Sequence, residues 1–296
     1  MSQELFPPEV LVPPSAAVRT AAHPYLTFCI DDYLPTEVDK KLSATFPDEL
    51  IMLRKELGIP QYLSLSDGSS SASTFLRHNP IWAAYVEAWH SKQNLQHCLT
   101  VFRSEFSKRY TPMWRWAVKR RLQKLSNLQV SVTLATYTKG FYLPPHSDDK
   151  YKVLTVIHYL PTNESIPDAR GGTTFYIPRE GTTRADLRQF TEWSHGVRRF
   201  FPIGMVAILA PDLFRVSDLT AFRSYFQQSF HYGYVKNRIC GFVKNDWSMH
   251  EVDLRDYPEG EVRRSILINI WVKQHPIVKF TTKIEKWFSI LKRAVK

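Results

Sequence analysis

The sequence predicts an α+β chain, with helices in its first part and an all-β barrel or sandwich in its second. Three observations carry this. Between about residues 35 and 110 apolar side chains recur at helical spacing, as in Trp82, Tyr85, Val86 and Trp89. From residue 129 onward the pattern changes to short β-branched runs of period two. At 296 residues and 44% hydrophobic content, the chain can bury roughly three quarters of its extended surface.

In chain order, Tyr25-Leu-Thr-Phe-Cys-Ile30 reads as a strand, and Pro35 opens a helix running to about Phe46. Asp67 to Ser71 reads as a loop, and a helical pattern runs from Pro80 to about Tyr110. Strands follow at Gln129–Tyr137, Val153–Leu160, Gly172–Ile177, Arg238–Val243 and Arg264–Val272, with a shorter one in Trp247–Val252. The intervening segment 179–235 exceeds the ~15 residues of an ordinary connection. Its aromatics, Tyr225, Phe226, Phe230 and Tyr232, argue against disorder, so it reads as a lid-like or substrate-binding insertion or as an oligomer contact. The domain reading is 1–128, 129–274 and 275–296: a strand-and-helix support region, the β core, and a basic C-terminal helix.

Composition removes several classes of protein. Aromatic content of 14% and charged content of 23% are those of a folded chain, not a disordered one. Eleven glycines without a repeat exclude collagen-like sequence. Cys29, Cys98 and Cys240 are widely spaced with no CxxC, which argues against a cysteine zinc site and fits a reducing cytosol. Met1–Ser15 lacks the pattern of a signal peptide. Met205–Ala210, the longest apolar run, falls far short of the ~20 residues that span a bilayer. A cytoplasmic location is expected.

The net charge of +11 is local. Residues 108–124 carry Lys108, Arg109, Arg115, Lys119, Arg120, Arg121 and Lys124 with no acid. Residues 279–296 carry six positives and Glu285. Together these exceed the total, so the rest of the chain is close to neutral. The tail has a capping box, Thr282 with Glu285, followed by Ile284, Trp287, Phe288, Leu291 and Val295 on one helical face. Two readings stay open for these segments: packing on the chain's own domain, or contact with an anionic membrane surface. No nucleic-acid motif accompanies them, and the oligomeric state is unreadable.

Within the β half, His146-Ser-Asp148 is an H-x-D, and on a strand or its edge residues i and i+2 point the same way. His250 ends another short strand. Two imidazoles and one carboxylate on one face of a metal leave positions open, the arrangement of non-haem Fe(II) oxygenases. Further on, Arg263 and Ser265 share a strand face, so a guanidinium and a hydroxyl can grip one carboxylate. His158, on the opposite face from Tyr159, reads as a packed histidine, His195 and His231 as surface or lid residues, and Gly171-Gly172 as a tight turn.

These residues resemble the Fe(II)/2-oxoglutarate-dependent oxygenases, in particular the prolyl-hydroxylase-like branch, over residues 129–273. Tyr137-Thr-Lys-Gly-Phe-Tyr-Leu-Pro-Pro-His-Ser-Asp148 is similar to that family's Y-x-x-G…H-x-D entry run. Thr155-Val-Ile-His-Tyr-Leu160 with Gly171-Gly172, and Asn237-Arg-Ile-Cys-Gly-Phe-Val243 leading to Ser248-Met-His250, are similar to its following strands. The resemblance implies a double-stranded β-helix (jelly-roll) core with N-terminal helices packed on it. It implies His146, Asp148 and His250 as iron ligands. Arg263 would bind the distal carboxylate of 2-oxoglutarate, with Ser265 and Tyr159 beside it and Tyr137 near the iron; Arg264 is the alternative to Arg263.

The implied activity couples oxidative decarboxylation of 2-oxoglutarate by O₂ to hydroxylation of a C–H bond, with ascorbate as a reductant. Asp148 stands where halide-adding relatives carry a small residue, which favours hydroxylation. The substrate stays open among peptidyl proline, small molecules and, through the basic segments, an anionic membrane-surface acceptor such as a glycolipid sugar. The alternative is a non-catalytic binding protein on the same barrel.

Overall fold

The computed structural model describes residues 6–7, 11, 19–21, 25–47, 60–102, 104–105, 125–149, 151–162, 170–183, 185–193 and 214–273. Both basic segments, His195 and the run Met205–Ala210 lie outside them.

Four helices precede the main strands: α1 (Thr36–Ala44), α2 (Ser70–His78), α3 (Pro80–His90) and α4 (Lys92–Val101). Two of them start where the sequence reading places no start. Ser69 accepts a hydrogen bond from the Ala72 amide at 3.2 Å, so α2 begins inside the expected Asp67–Ser71 loop. Ser91 takes an extended conformation and accepts from the Asn94 amide at 3.0 Å. That cap splits the expected Pro80–Tyr110 helix in two. Pro80 occupies the first turn of α3, where its missing N–H costs nothing.

The strands are β1 (Arg19–Ala21), β2 (Thr27–Ile30), β3 (Gln61–Ser64), β4 (Leu128–Tyr137), β5 (Tyr142–His146), β6 (Lys152–Tyr159) and β7 (Thr173–Pro178). They continue with β8 (Thr191–Trp193), β9 (Phe214–Val216), β10 (Phe226–Tyr232), β11 (Ile239–Val243), β12 (His250–Asp253) and β13 (Arg263–Val272). Short helices α5 (Leu187–Phe190) and α6 (Leu219–Tyr225) flank β8 and β9. One sheet has the order β1-β2-β11-β6-β13-β4-β3 and the other β10-β7-β12-β5-β9-β8. The chain passes from β4 to β5, β6 and β7, and again from β10 to β11, β12 and β13, changing sheet at each step. That puts β11-β6-β13-β4 opposite β10-β7-β12-β5, the pairing of a jelly roll. The sheets stay separate and do not close into one continuous ladder.

Period two sorts the side chains of the first sheet. On β6, Leu154, Val156 and His158 face the helices, while Thr155, Ile157 and Tyr159 face the space between the sheets. On β13, Ile266, Ile268 and Ile270 join the helical core with Trp82, Tyr85 and Trp89, leaving Arg263, Ser265 and Asn269 for the inner face. Both faces are covered, so β6 is buried along almost its whole length and no residue of β13 is fully exposed.

Segment 179–235, set apart as an insertion by its length, contains a strand of the core. β10 pairs antiparallel with β7 from Phe226↔Pro178 to Tyr232↔Thr173, with a register shift between Gln228 and Phe230. Its polar, largely exposed edge pattern hid it from a hydrophobic reading.

Candidate metal and carboxylate site

Strand β5 carries Pro144 and Pro145, which cannot donate to a ladder. The pairing of β5 with β12 shifts there: His146 faces His250, while Leu143 faces Val252. Pro144 and Pro145 on one strand thus stand against Glu251 alone on the other, a bulge centred on the prolines. It ends with His146 and His250 directly opposite, their ring centroids 4.2 Å apart.

Each imidazole is oriented by its own strand. His146 Nδ1 lies 2.9 Å from the Pro144 carbonyl and His250 Nδ1 lies 3.1 Å from the Ser248 carbonyl. A carbonyl can only accept, so Nδ1 is the protonated nitrogen in both rings and Nε2 carries the lone pair. One donor atom from each of His146, Asp148 and His250 falls within 4.8 Å of the others. Two nitrogens and an oxygen suit a first-row divalent cation.

Asp148 is held at both oxygens. Lys152 Nζ donates to Oδ1 at 2.9 Å, and Thr155 Oγ1 donates to Oδ2 at 2.6 Å. Thr155 Oγ1 also lies 3.2 Å from the Asn269 side chain. Burial opposes ionisation of Asp148, yet Lys152, the two imidazoles and Thr155 hold its carboxyl far below the usual carboxylate range. Burial, reinforced by His146, pushes His250 down to about 3. His250 is neutral at pH 7, as a metal requires.

Arg263 is 1% exposed. Its Nε donates to the Gly171 carbonyl, and its Nη1 donates to Ser265 Oγ at 3.3 Å. The guanidinium carbon lies 5.0, 5.1 and 5.5 Å from the ring centres of Tyr137, Tyr159 and Tyr234. No acidic side chain among the described residues pairs with it. The Tyr257 hydroxyl, buried beside this cage, has no hydrogen-bond partner. A buried cation walled by tyrosines, with no acidic partner among the described residues, fits a carboxylate ligand.

The structure brings His146, Asp148 and His250 together, and it brings Arg263, Ser265, Tyr159 and Tyr137 together. Tyr159 Oη is engaged with Thr173 Oγ1 at 2.7 Å and with Cys240 Sγ at 3.4 Å. Tyr137 packs on Phe141 at 4.7 Å and meets Tyr62 from β3. Arg264 points the other way, its guanidinium 5.2 Å from the Phe46 ring on the helical side. His158 is buried against Tyr33, Tyr85 and Asp39.

Sequence reasoning missed Lys152, Thr155, Tyr234, Tyr257 and the part played by Gly171. Gly171 has φ of +78°, and a Cβ there would approach Tyr257 Cε2 to 2.8 Å. Its backbone presents the carbonyl that takes Arg263. The Gly-Gly pair is therefore more than a turn, and the motif itself was the available signal.

The fold and site define a jelly roll with a two-histidine, one-carboxylate cluster and a caged arginine between its sheets. No family model matches the chain, and no curated protein matches it. Among solved structures it is similar to a Pseudomonas putida prolyl-4-hydroxylase, at 13% identity and TM-score 0.42, covering 85% of this chain and 94% of that one. It is also similar to a Trichoplax adhaerens prolyl hydroxylase in complex with a hypoxia-inducible-factor peptide, at 11% identity and TM-score 0.37, covering 83% of each. A third is HygX from Streptomyces hygroscopicus with nickel and 2-oxoglutarate bound, at 10% identity and TM-score 0.37, covering 83% of this chain and 82% of that one.

Proposed function

We propose that the protein is an Fe(II)/2-oxoglutarate-dependent oxygenase. The observation that carries this is the convergence of the His146, Asp148 and His250 donor atoms to within 4.8 Å, in a chain that also buries Arg263 with no acidic partner among the described residues. His146 and His250 offer Nε2, and Asp148 offers a carboxylate oxygen while Thr155 and Lys152 keep it oriented. Arg263 holds the far carboxylate of 2-oxoglutarate, and Ser265, which accepts from Arg263, still has its own proton to donate. Tyr137, Tyr159 and Tyr234 exclude water around that charge and so strengthen it. With iron, 2-oxoglutarate and O₂ bound, the site would supply oxidative decarboxylation coupled to hydroxylation of a C–H bond.

Anaerobic titration of Fe(II) and 2-oxoglutarate tests the reading. A visible charge-transfer band is expected in the wild type and absent in His146→Ala. With O₂ and ascorbate, slow release of succinate should follow even without substrate. No band and no calorimetric binding would favour a non-catalytic barrel.

The substrate forms a separable part of the proposal. The two basic-aromatic segments favour an anionic acceptor at a membrane surface, such as a glycolipid sugar. Among the described residues no helix is long and apolar enough to cross a membrane, so contact would be peripheral. Equal co-sedimentation with anionic vesicles by the full chain and by a chain ending at Gln274 would remove the tail from that reading.

A further inference from the structure

We infer that Lys152 makes divalent-metal binding at His146, Asp148 and His250 conditional on the dicarboxylate. This rests on the function proposed above and adds a regulation of the same site. Lys152 Nζ donates to Asp148 Oδ1 at 2.9 Å, and the two side chains are only 17% and 10% exposed. The ammonium sits on the one charged ligand of the cluster. It also lies over the face of Trp271, 5.3 Å away, whose indole N–H is fixed on Ser131 at 2.9 Å.

Formal charge gives the direction. With neutral imidazoles, Asp148 contributes one negative charge and Lys152 and Arg263 one positive each. A divalent cation adds two more positives to a part-buried region, where screening by water is poor. The dianion 2-oxoglutarate cancels two, one end meeting the metal and the other Arg263. Metal alone therefore enters against Lys152, and metal with dicarboxylate does not. The linkage is reciprocal: whatever factor the dicarboxylate adds to metal affinity, the metal adds to dicarboxylate affinity.

A purely orienting role for Lys152 predicts the opposite sign. Removing an outer-shell partner of a metal ligand typically weakens binding about 10–100-fold. Here Thr155 still holds Oδ2 at 2.6 Å, so Asp148 keeps an anchor when Lys152 is lost. The repulsion, one positive charge against two, is removed entirely.

The experiment measures the Kd of Co(II) by calorimetry and by its visible d–d spectrum, with and without saturating 2-oxoglutarate. The full-length wild type is compared with Lys152→Met, which keeps the stem and drops the charge, and Lys152→Arg, which keeps the charge. Lys152→Gln stands in should the Met variant fail to fold. In the wild type 2-oxoglutarate tightens Co(II) about tenfold or more, within the usual range of coupled sites. Lys152→Met should bind Co(II) alone about tenfold more tightly and lose the same factor of coupling, while Lys152→Arg behaves as wild type. Co(II) affinity in the Met variant that is unchanged or weaker, or coupling that is undiminished, overturns the inference. A wild type that binds no Co(II), or binding that survives His146→Ala with His250→Ala, removes the underlying function instead.

Discussion

Two buried histidine–aspartate groupings lie back to back across one sheet, and strand β6 contributes to both. Its inward Thr155 donates to Asp148, and its outward His158 lies against Asp39, with Nε2 3.7 Å from Oδ1. Both sides are buried, and burial lowers the proton affinity of His158 as it does that of His250. They differ in where the ring nitrogens go. His158 has Tyr85 at one nitrogen, 3.4 Å away, and Asp39 near the other, so its ring is spent on the packing of α1 and α3. His146 and His250 each give Nδ1 to a backbone carbonyl of their own strand, and their remaining nitrogens converge with Asp148. A buried histidine near a carboxylate is thus not in itself a site. Convergence of lone pairs makes one.

The largest expected effect tests that contrast. His146→Ala with His250→Ala should lower Co(II) affinity by more than the ~100-fold that bounds typical outer-shell changes, measured by calorimetry. His158→Leu should leave Co(II) affinity at the wild-type value. A His158 variant that loses metal would break the comparison.

Next comes Arg263→Leu. Losing the caged guanidinium should cost about 1.5–3 kcal/mol of 2-oxoglutarate binding, the range for hydrogen bonds to charged groups, so Kd rises about 10- to 150-fold. Thermal stability should hold or improve, because a buried charge without a counter-ion is removed. Unchanged affinity would detach the cage from the co-substrate.

On the helical side, His158→Leu takes away the ring nitrogen that lies 3.4 Å from the buried Tyr85 hydroxyl. A loss of about 1–3 kcal/mol is expected from an unsatisfied buried group, read as a fall in the urea midpoint. The two sides share a pH signature. His250 is lowered from 6.5 to about 3 in the folded protein, so unfolding takes up a proton below pH 6.5. Stability should fall on acidification from near pH 6.5 to about pH 3, by up to about 1.4 kcal/mol per pH unit per histidine. His158 acts in the same direction, and Asp148 extends it below 3.8. His250→Ala and His158→Leu should each flatten the slope, so acid sensitivity does not tell the two groupings apart, whereas metal binding does.

What was legible in the sequence depended on whether a function sat on a regular strand. Arg263 and Ser265 alternate on β13 with isoleucines that face the helices, so period two alone assigned them to a shared face. His146 and His250 were legible as residues, but β5 was not legible as a strand, because Pro144 and Pro145 contradict strand propensity and only the bulge reconciles them. Tyr137 and Tyr159 were named from the sequence, but the rest of the cage could not be read. Tyr234, Tyr257 and Gly171 come from three separate connections, and nothing local in the sequence states that they meet at Arg263. Lys152 looked like one more lysine in a basic chain until the turn after Asp148 brought it back onto that carboxylate.

The smallest expected effect concerns the neighbouring arginine, and it sharpens the comparison of the two faces most narrowly. Arg263 and Arg264 are adjacent in sequence with the same charge, and β13 sends them to opposite sides. Arg264 lays its guanidinium 5.2 Å from the Phe46 ring, and its backbone is held separately: its amide donates to Tyr234 Oη at 2.7 Å. Arg264→Ala retains that amide and loses the cation–π contact with Phe46, worth about 0.5–1 kcal/mol. The urea midpoint should fall slightly, and 2-oxoglutarate affinity by calorimetry should match the wild type. A Kd raised as far as in Arg263→Leu would mean that the helical face communicates with the site, and the separation by strand period would then fail as the account of both arginines.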